Sequence, residues 1–450
     1  MSAEPSGRPA SGEVTELLQA LIRNACVNDG RPESGEEVRN ADTLRSYLGQ
    51  AGMDVERFEP TPGRSSLVAR IEGRDPAAPT LCLMGHTDVV PVTPDGWHRD
   101  PFGGELVDGE VWGRGAVDML NLTASMAVAF SHLARSGWRP QGTLVYLAVA
   151  DEEAGGVHGA EWLVDHEYDA VRADYVLTES GGIVHRTDAG RLVTLTSEEK
   201  GLAWRRLRVR GTPGHGSMPF GSDNALVKAA EVVRRLATYR PKARIGETWR
   251  SYVATLDVDP DLREALLDPE RVYEACGRIS DPRVAKVAHA CSHMTFSPNV
   301  VHGGVKTNVI PDVVDVEVDI RILPGETQDD VVANLDEALG DLAAQVEVEV
   351  LHAGVSTASP WDNPLRDVLE KATRRVYPDA SLVPRLMTGG TDARFYREKG
   401  AVAYGFGLFS EAVTYEDFST RFHGHDERVD VESLRLTTDL WLDVATDLLG

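Results

Sequence analysis

The sequence predicts an α/β fold: a mostly parallel sheet with helices on both faces, interrupted by a smaller α+β domain of ferredoxin-like order. Three observations carry this. Apolar runs of strand length recur at Ser66–Ile71, Thr80–Met84, Thr143–Ala150 and Tyr175–Leu177. Continuous apolar runs of that kind belong to strands covered on both faces. Helical stretches such as Leu122–Arg135 and Val157–Asp165 lie between several of them, as a parallel sheet requires. From about Glu199 the texture changes to strands that alternate with period two.

In chain order, residues 14–30 and 34–52 read as helices. The second opens on a Ser-x-x-Glu capping pattern at Ser34 and Glu37 and closes at a glycine. The first α/β segment then runs to about residue 198. In the middle segment, 199–354, Leu202–Arg210 reads as a strand and Ala225–Ala237 as an amphipathic helix. Met294–Val301 and Val313–Ile322 follow as alternating strands, Asp329–Leu342 as a helix and Val346–Leu351 as a strand. The order β-α-β-β-α-β is the split βαβ arrangement. Residues 241–292 look like a mostly helical insertion in it. The α/β texture resumes over 355–450.

Composition narrows the function. The formal net charge of −25 argues against nucleic acid and anionic membrane as partners. No apolar run approaches the ~20 residues of a membrane helix. The start, MSAEPSGRPASGE, has neither a basic stretch nor an apolar segment, so it reads as a frayed tail rather than a secretory signal, and the expected location is the cytoplasm. Four cysteines (Cys26, Cys82, Cys276 and Cys291) form no CxxC pair and are too sparse for a disulfide scaffold.

The polar residues just beyond the apolar strands carry the chemistry. LCLMGHTDVVP places His86 and Asp88 after one strand, LVYLAVADEEAGG places Asp151, Glu152 and Glu153 after another, and YVLTESGG places Glu179 and Ser180 after a third. GRGAVDMLN sets Asp118 in a Gly-rich turn before a helix. Ligands of open parallel sheets bind outside the carboxyl ends of the strands, so these groups converge on one edge. Carboxylates that close repel unless a cation neutralises them. Histidine with carboxylates and no cysteine suits zinc, manganese or cobalt. Singly, each has a plainer reading: a hydrogen-bonded loop histidine, or acids at the surface.

The strings GHTDVVP, GWHRDPFGG, GEVWGRGAVDM, DEEAGG, GTPGHGSMP, TNVIPD and HGHDERV, spread over about residues 80–430, resemble the di-zinc metallopeptidase and deacylase family. That family includes carboxypeptidase G, succinyl-diaminopimelate desuccinylase, acetylornithine deacetylase, aminoacylase and carnosinase. The resemblance implies two divalent metal ions per chain, zinc, or cobalt or manganese. It implies that Asp118 bridges them, that His86 and Glu179 complete one site, and that Glu153 and His423 complete the other. It further implies Asp88 behind His86 and Glu152 as general base. His215 would reach the active site of a partner subunit in a homodimer joined through the inserted domain, which serves as lid. Asn308, Arg321, Gly389, Gly390 and Thr391 would hold the substrate's carboxylate. Otherwise Arg321 reads as an ion pair, the glycines as a tight turn, and His215 as a turn histidine.

Two departures stand out. Leu120 replaces the lysine usual in the family after Asp-Met, and HGHDERV offers His425 as an alternative to His423. The expected function is hydrolysis of an amide bond in a small carboxylate-bearing substrate, a dipeptide or N-acyl amino acid. The competing readings are a catalytically silent small-molecule-binding relative and a hydrolase using a single metal.

Overall fold

The chain divides into two units in a computed structural model that describes residues 8–188 and 190–450. Most of the tail expected to fray lies outside the described residues. Unit 1 comprises Met1–Ser197, Ser359–Arg385 and Thr391–Gly450; unit 2 comprises Glu198–Ala358 with Leu386–Gly390. The middle segment read from the sequence, 199–354, is shorter at both ends than unit 2 and lacks 386–390.

Unit 1 is an α/β structure. Its sheet runs, in spatial order, Val55–Thr61, Arg64–Ile71, Thr143–Val149, Thr80–His86, Tyr175–Thr178, Val402–Gly405 and Gly190–Glu199. The four central strands, Thr143–Val149 through Val402–Gly405, are parallel. The margins are antiparallel. On one margin the cause is local: Thr61 pairs with Arg64, so Val55–Thr61 and Arg64–Ile71 form a hairpin closed by two residues, with Gly63 at φ 84°. So short a loop can only join antiparallel strands.

The central strands explain why both faces are covered. Leu81, Leu83, Leu144 and Tyr146 pack with helices Ser11–Arg23, Leu120–Arg135 and Val431–Leu449. Their neighbours Cys82, Met84, Val145 and Leu147 join a second core with Leu163, Val164 and Tyr396 from helices Ala160–His166 and Ala393–Glu398. Successive side chains of a strand point to opposite faces, so an uninterrupted apolar strand needs two cores.

The N-terminal helices are shorter than their patterns suggest. The first spans Ser11–Arg23 and the second Val38–Gly49. After Arg23 the chain turns to run beside the segment following Asp88, where Asn28 N–H donates to Val89 O and Val89 N–H to Cys26 O. The Ser34–Glu37 capping box does not form. Ser34 Oγ donates to Arg31 O, and the Glu37 carboxylate binds Arg64 at 2.6 Å. A buried guanidinium outcompetes a helix amide for that carboxylate.

Unit 2 contains the expected split βαβ arrangement. Val313–Ile322 lies between Arg205–Arg210 and Thr295–Gly303, and Val346–Val350 flanks Arg205–Arg210, all antiparallel. One face packs on helices Ala225–Thr238 and Gln328–Leu339 through Val209, Val232, Val316, Val318 and Leu335. The insertion forms helices Glu247–Thr255, Pro260–Leu266, Val272–Cys276 and Pro282–Ser292, with a cluster of their own around Trp249, Leu266 and Cys291. Lys200 is 2% exposed and donates to Ala290 O (2.8 Å) and His293 O (2.7 Å). Its charge thus meets the carbonyl end of helix Pro282–Ser292, where a cation is favoured. Among the described residues no helix is long and apolar enough to cross a membrane, and the four cysteines are buried thiols outside any disulfide.

Candidate metal centre

The parallel register brings three strand ends together. His86 pairs with Val149, and Leu83 with Leu177. The residues that follow therefore emerge at one edge. Asp151 turns the chain at φ 72° into the short 3-10 turn Glu152–Ala154. Glu179 follows strand Tyr175–Thr178, and Ser180 takes φ 73°. Asp118 arrives on the loop before helix Leu120–Arg135. That loop turns at Gly113 (φ 153°), where a Cβ would lie 2.5 Å from Ile22 Cγ2, so only glycine fits. His423, at φ 54°, follows helix Tyr415–Arg421.

Asp118 joins the two histidines. Its Oδ1 is 3.2 Å from His86 Nε2 and its Oδ2 is 2.8 Å from His423 Nε2. His423 Nε2 also meets Glu153 Oε2 at 3.2 Å, and His86 Nε2 lies 4.0 Å from Glu152 Oε2. Donor atoms of His86, Glu152 and Glu179 lie within 4.8 Å of one another, as do those of His86, Asp118 and Glu153. Glu153 Oε1 is buried with no hydrogen-bond partner. The donor set is nitrogen and oxygen, largely carboxylate, and buried or half-buried apart from His423, whose side chain is 45% exposed. It fits divalent cations such as zinc, manganese or cobalt.

Two clamps hold this arrangement. Glu427, fully buried, accepts from Val117 N (2.7 Å), Asp118 N (3.1 Å) and Arg114 Nη1 (2.8 Å). It ties the loop bearing Asp118 to the segment bearing His423. Asp88 accepts from Glu152 N (3.3 Å), Glu153 N (3.1 Å) and Asn28 Nδ2 (2.8 Å). The nearer partner of His86 Nδ1 is the Asp88 carbonyl at 3.0 Å, with the Asp88 carboxylate at 3.5 Å. That carboxylate mainly holds the turn carrying Glu152 and Glu153.

The electrostatics follow from crowding acids in a largely buried site. Burial pushes Glu152 and Glu179 well above the usual carboxylate range, and neighbouring carboxylates add to it. Burial and Asp118 raise Glu153 to about 7. Burial opposes charge on His423, but hydrogen bonds to Asp118 and Glu153 lift it to about 10. Asp118 is held below its ordinary value: hydrogen bonds from His423 and His86 overcome its burial. Asp392, 2% exposed and with both carboxylate oxygens unpartnered, is raised by burial to about 7.

His86, Asp88, Asp118, Glu152, Glu153, Glu179 and His423 thus gather in unit 1. Thr391 belongs to the same unit and is buried, its Oγ1 accepting from Ala393 N. His425 packs under Gly96, where a Cβ would come within 2.3 Å of its Nε2. Leu120 is buried in the core of unit 1. His215, Asn308, Arg321, Gly389 and Gly390 belong to unit 2. There Gly214–His215 pairs with Val309–Ile310. His215 is exposed, and its Nδ1 accepts from Ser217 N at 3.2 Å, which leaves Nε2 as the donor. Arg321 forms a two-point ion pair with Asp319 at 2.7 and 3.0 Å.

Sequence analysis assigns no role to Asn28, Arg64, Asp392 or Glu427. Glu427 carries a usable signal in retrospect: an acid close behind the HGH run. Arg64 and Asn28 carry none, since nothing local distinguishes them from surface polar residues.

A family model described as Peptidase family M20/M25/M40 matches residues 82–447. The chain is 25% identical over 455 residues to the N-fatty-acyl-amino acid synthase/hydrolase PM20D1 of Xenopus tropicalis, covering 96% of this chain and 85% of that protein. It is 26% identical to aminoacylase-1 of Mus musculus, covering 92% of each. Its fold is similar to that of an M20 family metallo-carboxypeptidase from Sulfolobus solfataricus, with a TM-score of 0.73, 18% identity, and 97% and 99% of the two chains covered.

Proposed function

Because the chain belongs to peptidase family M20/M25/M40, we propose that it is a two-metal hydrolase of an amide bond in a small carboxylate-bearing substrate, a dipeptide or an N-acyl amino acid. One observation carries this reading: the two oxygens of Asp118 face two histidines, His86 and His423, that lie far apart in the chain. In this reading Asp118 is shared between the ions, His86 and Glu179 hold one, and Glu153 and His423 hold the other. Zinc is the first choice, cobalt or manganese the alternatives. Bound there, such ions polarise a carbonyl and bring the pKa of water down toward ~7.

The protein's own groups do the rest. Glu152 lies 4.0 Å from His86 and is held by its amide to Asp88. It accepts a proton from the attacking water and returns it to the departing amine. The carboxyl that takes the proton in the first transfer is the acid that gives it up in the second. His215, with Nε2 free to donate, supplies the oxyanion donor in a partner's site. Asn308, Arg321, Gly389, Gly390 and Thr391 take the substrate's carboxylate. Arg321 must then share its fork between Asp319 and the substrate. A homodimer through unit 2 is supported by its uncovered apolar residues: Leu226 and Val227 are 49% and 67% exposed on helix Ala225–Thr238, and Val301 on strand Thr295–Gly303 is 51% exposed. Buried cysteines outside any disulfide fit a reducing compartment such as the cytoplasm.

The test is metal stoichiometry with a screen of dipeptides and N-acyl amino acids. Two ions per chain are expected. Glu152→Gln should keep both ions and lose ~10²–10⁴-fold in kcat. A single ion with full activity favours a one-metal hydrolase. A folded protein that holds no metal and cleaves no amide is a silent relative, and the proposal falls.

A further inference from the structure

Behind the candidate centre lies a buried polar chain assembled from distant parts of unit 1. Arg64 is 1% exposed on strand Arg64–Ile71. Its Nη1 donates to Glu37 Oε1 at 2.6 Å; its Nη2 donates to Asp151 Oδ1 at 2.8 Å and Asn28 Oδ1 at 3.2 Å. The Asn28 amide continues the chain, with Nδ2 donating to Asp151 Oδ1 (3.1 Å) and Asp88 Oδ2 (2.8 Å). Asp88 accepts the backbone N–H of Glu152 and Glu153. Glu37 Oε1 also accepts from Asp151 N at 3.2 Å.

The charge count makes Arg64 indispensable to this arrangement. Glu37, Asp88 and Asp151 are 0%, 0% and 2% exposed, and none belongs to the proposed ligand set. A guanidinium can serve Glu37 and Asp151 together because its donors form a rigid planar fork; an ammonium is a point charge and cannot span both. Without it Glu37 and Asp151 are buried beside one another without the guanidinium they share, and they must separate or protonate. Either response frees Asn28, and with it the hold of Asp88 on the turn that carries Glu152 and Glu153.

We propose that Arg64, acting through Asn28 and Asp88, is a positioning residue for the metal centre: it fixes the Glu152–Glu153 turn and so sets how tightly the ions are held. The inference rests on the two-metal reading given above. Partners one step removed from metal ligands typically change metal affinity ~10–100-fold when removed, and that is the effect expected here. A residue that merely stabilises the fold would lower the melting temperature and leave the affinity of the folded protein unchanged.

The experiment is a zinc titration against a chelating dye, well below the unfolding temperature, with circular dichroism to confirm folding. Arg64→Met and Asn28→Leu are each expected to weaken zinc binding by about 10–100-fold. Because they cut one chain of bonds, the double variant should lose little more than either alone. Arg64→Lys, which keeps the charge and loses the fork, should also bind more weakly than wild type. If Arg64→Met does not fold, Arg64→Lys and Asn28→Leu carry the test. Wild-type affinity in the folded variants, or losses at Arg64 and Asn28 that simply add, overturns the proposal. A wild-type chain that binds no zinc, cobalt or manganese instead overturns the two-metal reading itself, so the two failures are distinct.

Discussion

Glu427 shows how a single residue outside the proposed ligand set can decide the centre. It is buried against Arg114 and receives two backbone N–H groups of the loop that bears Asp118. Glu427→Ala leaves the Arg114 guanidinium buried and unpaired, which costs about 3–5 kcal/mol. The urea midpoint should fall accordingly, and an unchanged midpoint would show that water replaces the carboxylate. His86, Asp118, Glu153 and Glu179 were legible in the sequence because each follows an apolar strand or a Gly-rich turn, where side chains of a parallel sheet collect; His423 follows a helix and was reached only through the family resemblance. Arg64 and Asn28 were not legible. Their roles arise from partners in different strands and loops, and pattern reading sees only neighbours along the chain. Glu37 was misjudged for the same reason: its local capping signal was real, but a partner 27 residues away held the carboxylate.

At the scale of elements, the turn after Glu153 is closely constrained. Gly156 has φ +75°, and a Cβ there would approach Asp392 Oδ1 to 2.4 Å and Phe395 Cε2 to 2.9 Å. Gly156→Ala should lower stability by more than ~1 kcal/mol and reduce kcat, because the displaced turn carries Glu152. Thermal unfolding and steady-state kinetics read the two effects separately. The helical insertion offers a pH prediction. Burial, with His289 and Lys200 nearby, lowers His293 to about 4 from 6.5. His293 is neutral in the fold, whereas the unfolded chain takes up a proton below about 6.5. Its stabilising share is present above that pH and lost as pH falls from 6.5 to about 4. His293→Gln should flatten the decline in stability over that window; an unchanged slope places the acid sensitivity elsewhere. The sequence showed most strands of unit 2 through strict alternation. It did not show that the margins of the larger sheet turn antiparallel, since a two-residue hairpin leaves little trace in hydropathy.

For the whole molecule, metal and folding should be linked. Ions that bind only the folded chain stabilise it by ~2.7 kcal/mol at a hundred times their Kd. Chelation is therefore expected to lower the melting temperature, and zinc to restore it. A melting temperature indifferent to chelator is the contrary outcome. Light scattering should give twice the 49.0 kDa chain mass if unit 2 joins two copies. The two-part organisation was legible as a change from continuous to alternating strands. The return of 386–390 to unit 2 was not, because five residues carry no periodicity.

The division of unit 1 by Glu198–Ala358 has a consequence for synthesis. The ribosome delivers a chain from its N-terminus at about 5–20 residues per second. His86, Asp118, Glu153 and Glu179 emerge early, while strand Val402–Gly405 and His423 emerge only after unit 2 has left the tunnel. The larger sheet stays open beside Tyr175–Thr178 for that interval, and four ligand-type residues wait without their fifth. Nearly all of unit 2 is one contiguous stretch and can close first. On the two-metal reading, metal would be held at both sites only after His423 has emerged, late in the synthesis of each chain.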